Sequence, residues 1–124
     1  MSIFNNLGKK KLILGLIHLK PLPGTPLFEE GGLEIQVQKT ELIQIAMEKA
    51  MKDAKALYDG GADGCLIQTV DRIYPAGDDA DYARVSAIAV ITNEVKKAVP
   101  LSFQIGVQIM WNCITPSLAV AKVC

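Results

Sequence analysis

The stretch Leu12-Ile13-Leu14-Gly15-Leu16-Ile17-His18-Leu19 is nearly continuous in apolar side chains. A strand that is solvated on one face alternates apolar with polar residues, whereas an unbroken apolar run suits a strand covered on both faces, as in a parallel sheet. The run therefore predicts a first β-strand in an α/β protein. Pro21, Pro23, Gly24 and Pro26 come next, and they block both helix and ladder pairing, so residues 20–32 read as loop.

Downstream, the pattern changes period. From Thr40 to Tyr58 the apolar positions Ile43, Met47, Ala50, Ala54 and Leu57 recur at spacings of three and four, with Lys and Glu between them. This spacing predicts an amphipathic helix, ended by the left-handed residue that Gly60-Gly61 can supply. Cys65 to Val70 then reads as a second strand and Asp71 to Asp79 as a polar loop. Val85, Ile88, Ile91 and Val95 form the stripe of a second helix, which Asp78, Asp79 or Asp81 can cap and which Pro100 ends. In Leu101 to Met110, Phe103, Ile105, Val107 and Ile109 fall on one face and Gln104, Gly106, Gln108 and Met110 on the other, as in a third strand. Thr115-Pro116 has the chemistry of a cap followed by proline at the first position of a third helix.

Strand, helix, strand, helix, strand, helix implies right-handed crossovers and a parallel sheet, of doubly wound or barrel type. No GxGxxG follows the first strand, which weakens a dinucleotide-binding reading and favours the barrel. A complete (β/α)8 barrel takes about 250 residues. The 124 residues here are accordingly expected to form the first three βα units of a partial TIM barrel, residues 1–124 being the N-terminal half of one truncated domain. Three strands that do not close leave two unpaired edges and one uncovered apolar face, so self-association through those edges is expected.

Composition excludes other classes. Lys+Arg and Asp+Glu are equal at 13 each, and half the residues are apolar. With a pI near 6.6, the chain has no global field to draw it to a phosphate backbone, so nucleic acid is not an expected partner. Cys65, Cys113 and Cys124 are odd in number and form no CxxC pair, which argues against a disulfide framework or a zinc knuckle and for a reducing, cytoplasmic setting. Lys9-Lys10-Lys11 followed by Leu12 to Leu19 imitates a signal peptide, but Lys20 and Pro21 follow at once with no small-residue cleavage site. No apolar run reaches the roughly 18 to 20 residues of a bilayer span. One His and scattered Asp residues assemble no metal set by spacing, and no cofactor is indicated.

Barrel active sites lie at the C-terminal ends of the strands, where the βα loops converge. His18, Gln68, Thr69, Asp71, Gln108, Trp111 and Asn112 all fall at such ends. His18 is a natural proton donor or acceptor, or else a histidine bonded to backbone that shapes the Pro-rich loop. Asp71 can act as a base or simply initiate the turn before Pro75. Asn112 completes the candidate catalytic set. Gln68, Thr69, Gln108 and Trp111 are candidate ligand contacts, with core or loop packing as the alternative for Trp111 and structural partners as the alternative for Gln104 and Gln108.

At His18-Leu19-Lys20-Pro21-Leu22-Pro23-Gly24-Thr25-Pro26 the sequence resembles the opening HLxPLPGxP motif of the BtpA/SgcQ family. Gly60-Gly61-Ala62-Asp63-Gly64 is similar to that family's GGVDG, and Gly106-Val107-Gln108-Ile109-Met110-Trp111-Asn112 to its third-strand GVNVLRN or GVNVLW. The resemblance covers nearly all of this chain but only the N-terminal half of a family member. It implies a TIM barrel of the ribulose-phosphate-binding type. One namesake is associated with photosystem I biogenesis and the other with a bacterial sugar-utilisation gene cluster. It therefore implies an accessory or assembly-type protein or a small-ligand-binding barrel of unassigned reaction, or alternatively an enzyme acting on a small sugar or sugar phosphate. Gln68-Thr69 stands where many members have Glu-Asn, Gln108 where they have Asn, Trp111 where Arg is common and Cys113 where Asp is common.

Overall fold

A computed structural model describes residues 11–20, 22, 39–69, 80–109 and 113–124. The element order is β1 (Leu14–Leu19), α1 (Lys39–Asp59), β2 (Gly64–Thr69), α2 (Tyr82–Ala98), β3 (Gln104–Gln108) and α3 (Ile114–Val123). The strands form one parallel sheet in the sequential order β1-β2-β3, with His18 opposite Gln68 and Gln68 opposite Gln108.

The sheet has two unlike faces. Ile17, Leu19, Cys65 and Ile67 are buried on one, beneath the helices. On the other, Leu14 and Leu16 are 51% and 59% exposed. A doubly wound sheet reverses its strand order and places helices on both faces; the described residues do neither. The period-two alternation of a strand thus separates a dry face from an open one.

The helices cover the dry face through small and branched side chains. Ala46, Ala50 and Ala54 are buried along α1, which lets its backbone approach β1 and β2 closely, while Met47 and Leu57 pack at the margin. Leu57 lies over Gly15, where a Cβ would sit 2.4 Å from its methyl groups. In α2 the stripe Ile88, Ile91 and Val95 is fully buried, each contributing about 1.5–3 kcal/mol. Tyr58 and Phe103 meet edge to face at 5.9 Å. The exposed pairs Lys49–Asp53 and Glu94–Lys97 add a few tenths of a kcal/mol at most.

Element ends follow local chemistry. Gly61 has φ +89° and turns the chain out of α1, with Gly60 N–H donating to Ala56 O and Ala62 N–H to Leu57 O. Asp81 is the cap of α2, its Oδ1 accepting from Arg84 N–H at 2.8 Å. The carboxylate also pairs with Arg84 Nε at 3.2 Å, which lets a guanidinium sit 5% exposed at the helix start.

β1 starts at Leu14 rather than Leu12 and β2 at Gly64 rather than Cys65, and two further boundaries differ for local reasons. The third strand, Gln104–Gln108, begins at Gln104 rather than Leu101, because Phe103 N–H donates to Pro100 O at 3.0 Å and residues 100–103 form a turn, while Met110 lies outside the described residues. Helix α3 begins at Ile114 with Cys113 as its cap, so Thr115 is not the cap and Pro116 is the third helical residue. Proline is tolerated there because N–H groups of the first turn have no intrahelical acceptor. The expected loop 71–79, the capping candidates Asp78 and Asp79, and most of the Pro-rich segment lie outside the described residues.

Candidate functional site

Parallel pairing aligns His18, Gln68 and Gln108 in one row across three strands, at their C-terminal ends and on the open face. The row is tied together on one side: Gln68 Nε2 donates to Gln108 Oε1 at 3.1 Å. Both glutamines are half-buried and His18 is exposed. Below them lie Leu16, Leu66 and Gly106, also in register. Leu66 leans across Gly106, its Cδ1 lying 3.0 Å from where a Cβ at 106 would be. The open face is thus a line of hydrogen-bonding side chains above an aliphatic layer.

Of the seven residues expected at the site, three are brought together: His18, Gln68 and Gln108. Thr69 pairs with Leu19 and falls on the helix-covered face, where it is buried. Asp71, Trp111 and Asn112 lie outside the described residues. Gln104 shares the open face but sits at the opposite strand end, its Nε2 donating to Ser102 O at 3.4 Å.

Sequence reasoning did not single out Ser117. Its hydroxyl accepts from Ile109 N–H at 2.9 Å and donates to Cys113 O at 2.6 Å, and Ile109 and Cys113 also form a bridge. One side chain therefore fixes the two residues that flank 110–112, the segment carrying Trp111 and Asn112. The signal available in the sequence is weak: a Ser in the first turn of a helix bonds readily to the carbonyl four residues back.

The described row is polar and carries no carboxylate. Among the described residues no group of three or more His, Cys, Asp or Glu side chains is placed to hold a metal. Burial pushes the Cys65 thiol from its ordinary 9.0 up to about 11, and Cys65 is on the helix-covered face, so it is a packing residue and not a nucleophile. No described helix is long and apolar enough to cross a membrane.

Fold and site together define an α/β protein whose parallel sheet gathers polar side chains at its strand ends. A model of the BtpA family matches residues 9–124, and the chain belongs to that family. It is 33% identical over 114 residues to an uncharacterised protein of Archaeoglobus fulgidus, covering 91% of this chain and 40% of the relative. An uncharacterised protein of Methanocaldococcus jannaschii is 30% identical over 115 residues, with 93% and 39% covered. The photosystem I biogenesis protein BtpA of Synechocystis is 27% identical over 123 residues, with 98% and 38% covered. The chain spans about two fifths of the length of these curated relatives. No solved structure matches at a significant level.

Proposed function

We propose that this chain supplies the first three βα units of a (β/α)8 barrel of the ribulose-phosphate-binding type, and that its strand ends bind a small sugar-like or phosphorylated ligand. The observation that carries the reading is the row His18, Gln68 and Gln108, in register at the C-terminal ends of three parallel strands on the face no described helix covers. Sequential strand order and one-sided helices support the barrel, in which that face turns inward and the βα loops form the site. Asp71, Trp111 and Asn112 follow β2 and β3 in sequence and join the site as loop residues in this proposal. His18 and Asn112 contact the ligand; should the protein be an enzyme, His18 and Asp71 are its proton carriers.

The test is binding of a sugar phosphate to the folded chain, measured by calorimetry. His18→Ala and Asn112→Ala are each expected to weaken it about tenfold, the worth of one polar contact. Unchanged affinity in both variants, with the fold intact, overturns the assignment.

An accessory role in assembly is a second reading, favoured by the name of the Synechocystis relative. It predicts that no small ligand stabilises the protein. A sugar phosphate that raises Tm by several degrees rules it out.

A further inference from the structure

The core beneath the sheet is closed at one edge and open at the other. β1 and β3 are both outer strands of the described sheet, yet Ile17 and Leu19 of β1 are buried while Ile105 and Val107 of β3, on the same helix-covered face, are only half-buried. Their register partners on β2, Cys65 and Ile67, are buried as well. On the β3 side lies a cavity of about 250 Å³, whose walls include Phe103, Ile105 and Val107, Thr92 and Lys96 of α2, and Ala121 of α3. Every residue lining it is described. Only Lys96 among them is charged, and its Nζ donates to Cys124 O.

The backbone at that edge points the same way. Gln104 N–H donates to Asp63 O on the β2 side, and main-chain groups alternate in direction along a strand, so those of Ile105 and Val107 face the outer edge. No described strand pairs with them there. The same two residues thus offer a ladder without a described partner and an apolar slot beside it. An extended segment adds to a sheet through this combination: main-chain bonds give affinity, and pockets for alternate side chains give specificity.

About three fifths of the length of each relative described above lies outside the match. We propose that the β3 edge and its cavity take up an extended apolar segment from that remaining part of a BtpA-family protein, paired in parallel with Ile105 and Val107 and with alternate side chains sunk between α2 and α3. This rests on the barrel reading above and names the edge and the residues on which the rest of the barrel closes.

The test co-expresses the 124-residue chain with the part of the Archaeoglobus fulgidus relative outside the match, and compares amide exchange in the complex with that in the chain alone. The Ile105 and Val107 amides are expected to be protected in the complex, with those of α1 unchanged. Ala121→Trp, which fills the cavity from an exposed position on α3, should weaken capture about tenfold, the scale of an overpacking clash. Capture of equal strength by this variant, with its spectrum dispersed, overturns the proposal. So does protection of the two amides in the chain alone that rises with its own concentration, which assigns the edge to a second copy. Protection confined to open-face residues such as Leu16 and Leu66 overturns the β3 assignment and leaves the barrel reading standing; no change at any amide overturns both.

Discussion

Asp63 and Ile13 hold each other by both main-chain and side-chain groups: Asp63 N–H donates to Ile13 O at 2.9 Å, and Ile13 N–H donates to Asp63 Oδ2 at 3.0 Å. Asp63 O also accepts from Gln104 N–H at 3.0 Å. One residue therefore ties the N-terminal ends of all three strands, opposite the end where His18, Gln68 and Gln108 line up. The Gly60-Gly61-Ala62-Asp63-Gly64 motif thus carries a structural device at the N-terminal end of the sheet. Replacing Asp63 by Ala is expected to cost about 1–2 kcal/mol, since a charge-assisted bond is lost at a partly exposed site. Asp63→Asn keeps an acceptor oxygen and should cost less. Urea denaturation of the three proteins checks that order.

Two glycines make a sharper comparison. A Cβ at Gly64 would sit 2.4 Å from Gln104 O, a backbone atom, whereas a Cβ at Gly15 would meet only the Leu57 side chain at the same distance. A leucine can change rotamer; a strand carbonyl in a ladder cannot move without breaking pairing. Gly15→Ala should cost about 1–3 kcal/mol, typical of overpacking, and Gly64→Ala more. Equal Tm losses in the two variants would contradict the distinction.

How much of this was legible in the sequence depends on the range of the signal. Apolar runs and three-four spacing are local, and they located three strands and three helices to within a few residues. The alternation in β3 correctly paired Gln104 with Gln108 on one face and set Ile105 and Val107 on the other. Locally competing hydrogen bonds were harder to read: the Pro100–Phe103 turn shortened β3, and Cys113 displaced Thr115 as a cap. Longer-range facts were invisible. Nothing in the sequence says that Gln68 reaches Gln108, forty residues away, or that Thr69 shares a face with buried Leu19, because strand register sets both. Ser117 was missed for the same reason, since its role is defined by Ile109, eight residues earlier.

Ser117 gives a prediction of its own. Ile109 is fully buried, so removing the hydroxyl that accepts from its N–H leaves a buried donor to be satisfied otherwise. Ser117→Ala is expected to cost about 1–3 kcal/mol, while Ser117→Thr, which retains the hydroxyl, costs less. Hydrogen exchange at Ile109 gives the direct reading: its amide should exchange faster in the alanine variant, with amides of α1 unaffected.

Cys65 should make stability depend on pH on the alkaline side. Its thiol titrates at about 11 in the folded chain against an ordinary 9.0, through burial. Between those values the unfolded chain has released a proton that the folded chain retains, so stability falls as pH rises through this window, by up to about 1.4 kcal/mol per unit. The contribution is fully present below pH 9. Cys65→Ala loses packing at neutral pH but should show a flatter decline from pH 9 to 11 in denaturant titrations. Parallel slopes for the two proteins would contradict the assignment. Thiol labelling at neutral pH should modify Cys124 first, because Cys65 and Cys113 are buried and Cys124 is only partly so.

The open face sets the solution behaviour of the chain. Leu14 and Leu16 are more than half exposed on it, beside half-buried Leu66. As the outermost strands of the described sheet, β1 and β3 each have one side without a described neighbour. Exposed apolar surface beside edge strands without a described neighbour motivates a test of contact with a second copy of the same face. The chain alone is therefore expected to bind a hydrophobic dye, unfold broadly, and sediment as a concentration-dependent mixture. Leu16→Gln removes apolar area from a side chain that contributes little to the core, so it should reduce association without lowering the denaturation midpoint. A monodisperse monomer with a sharp two-state transition would show that the face is satisfied within one chain, and dye binding unchanged by Leu16→Gln would place the sticky surface elsewhere.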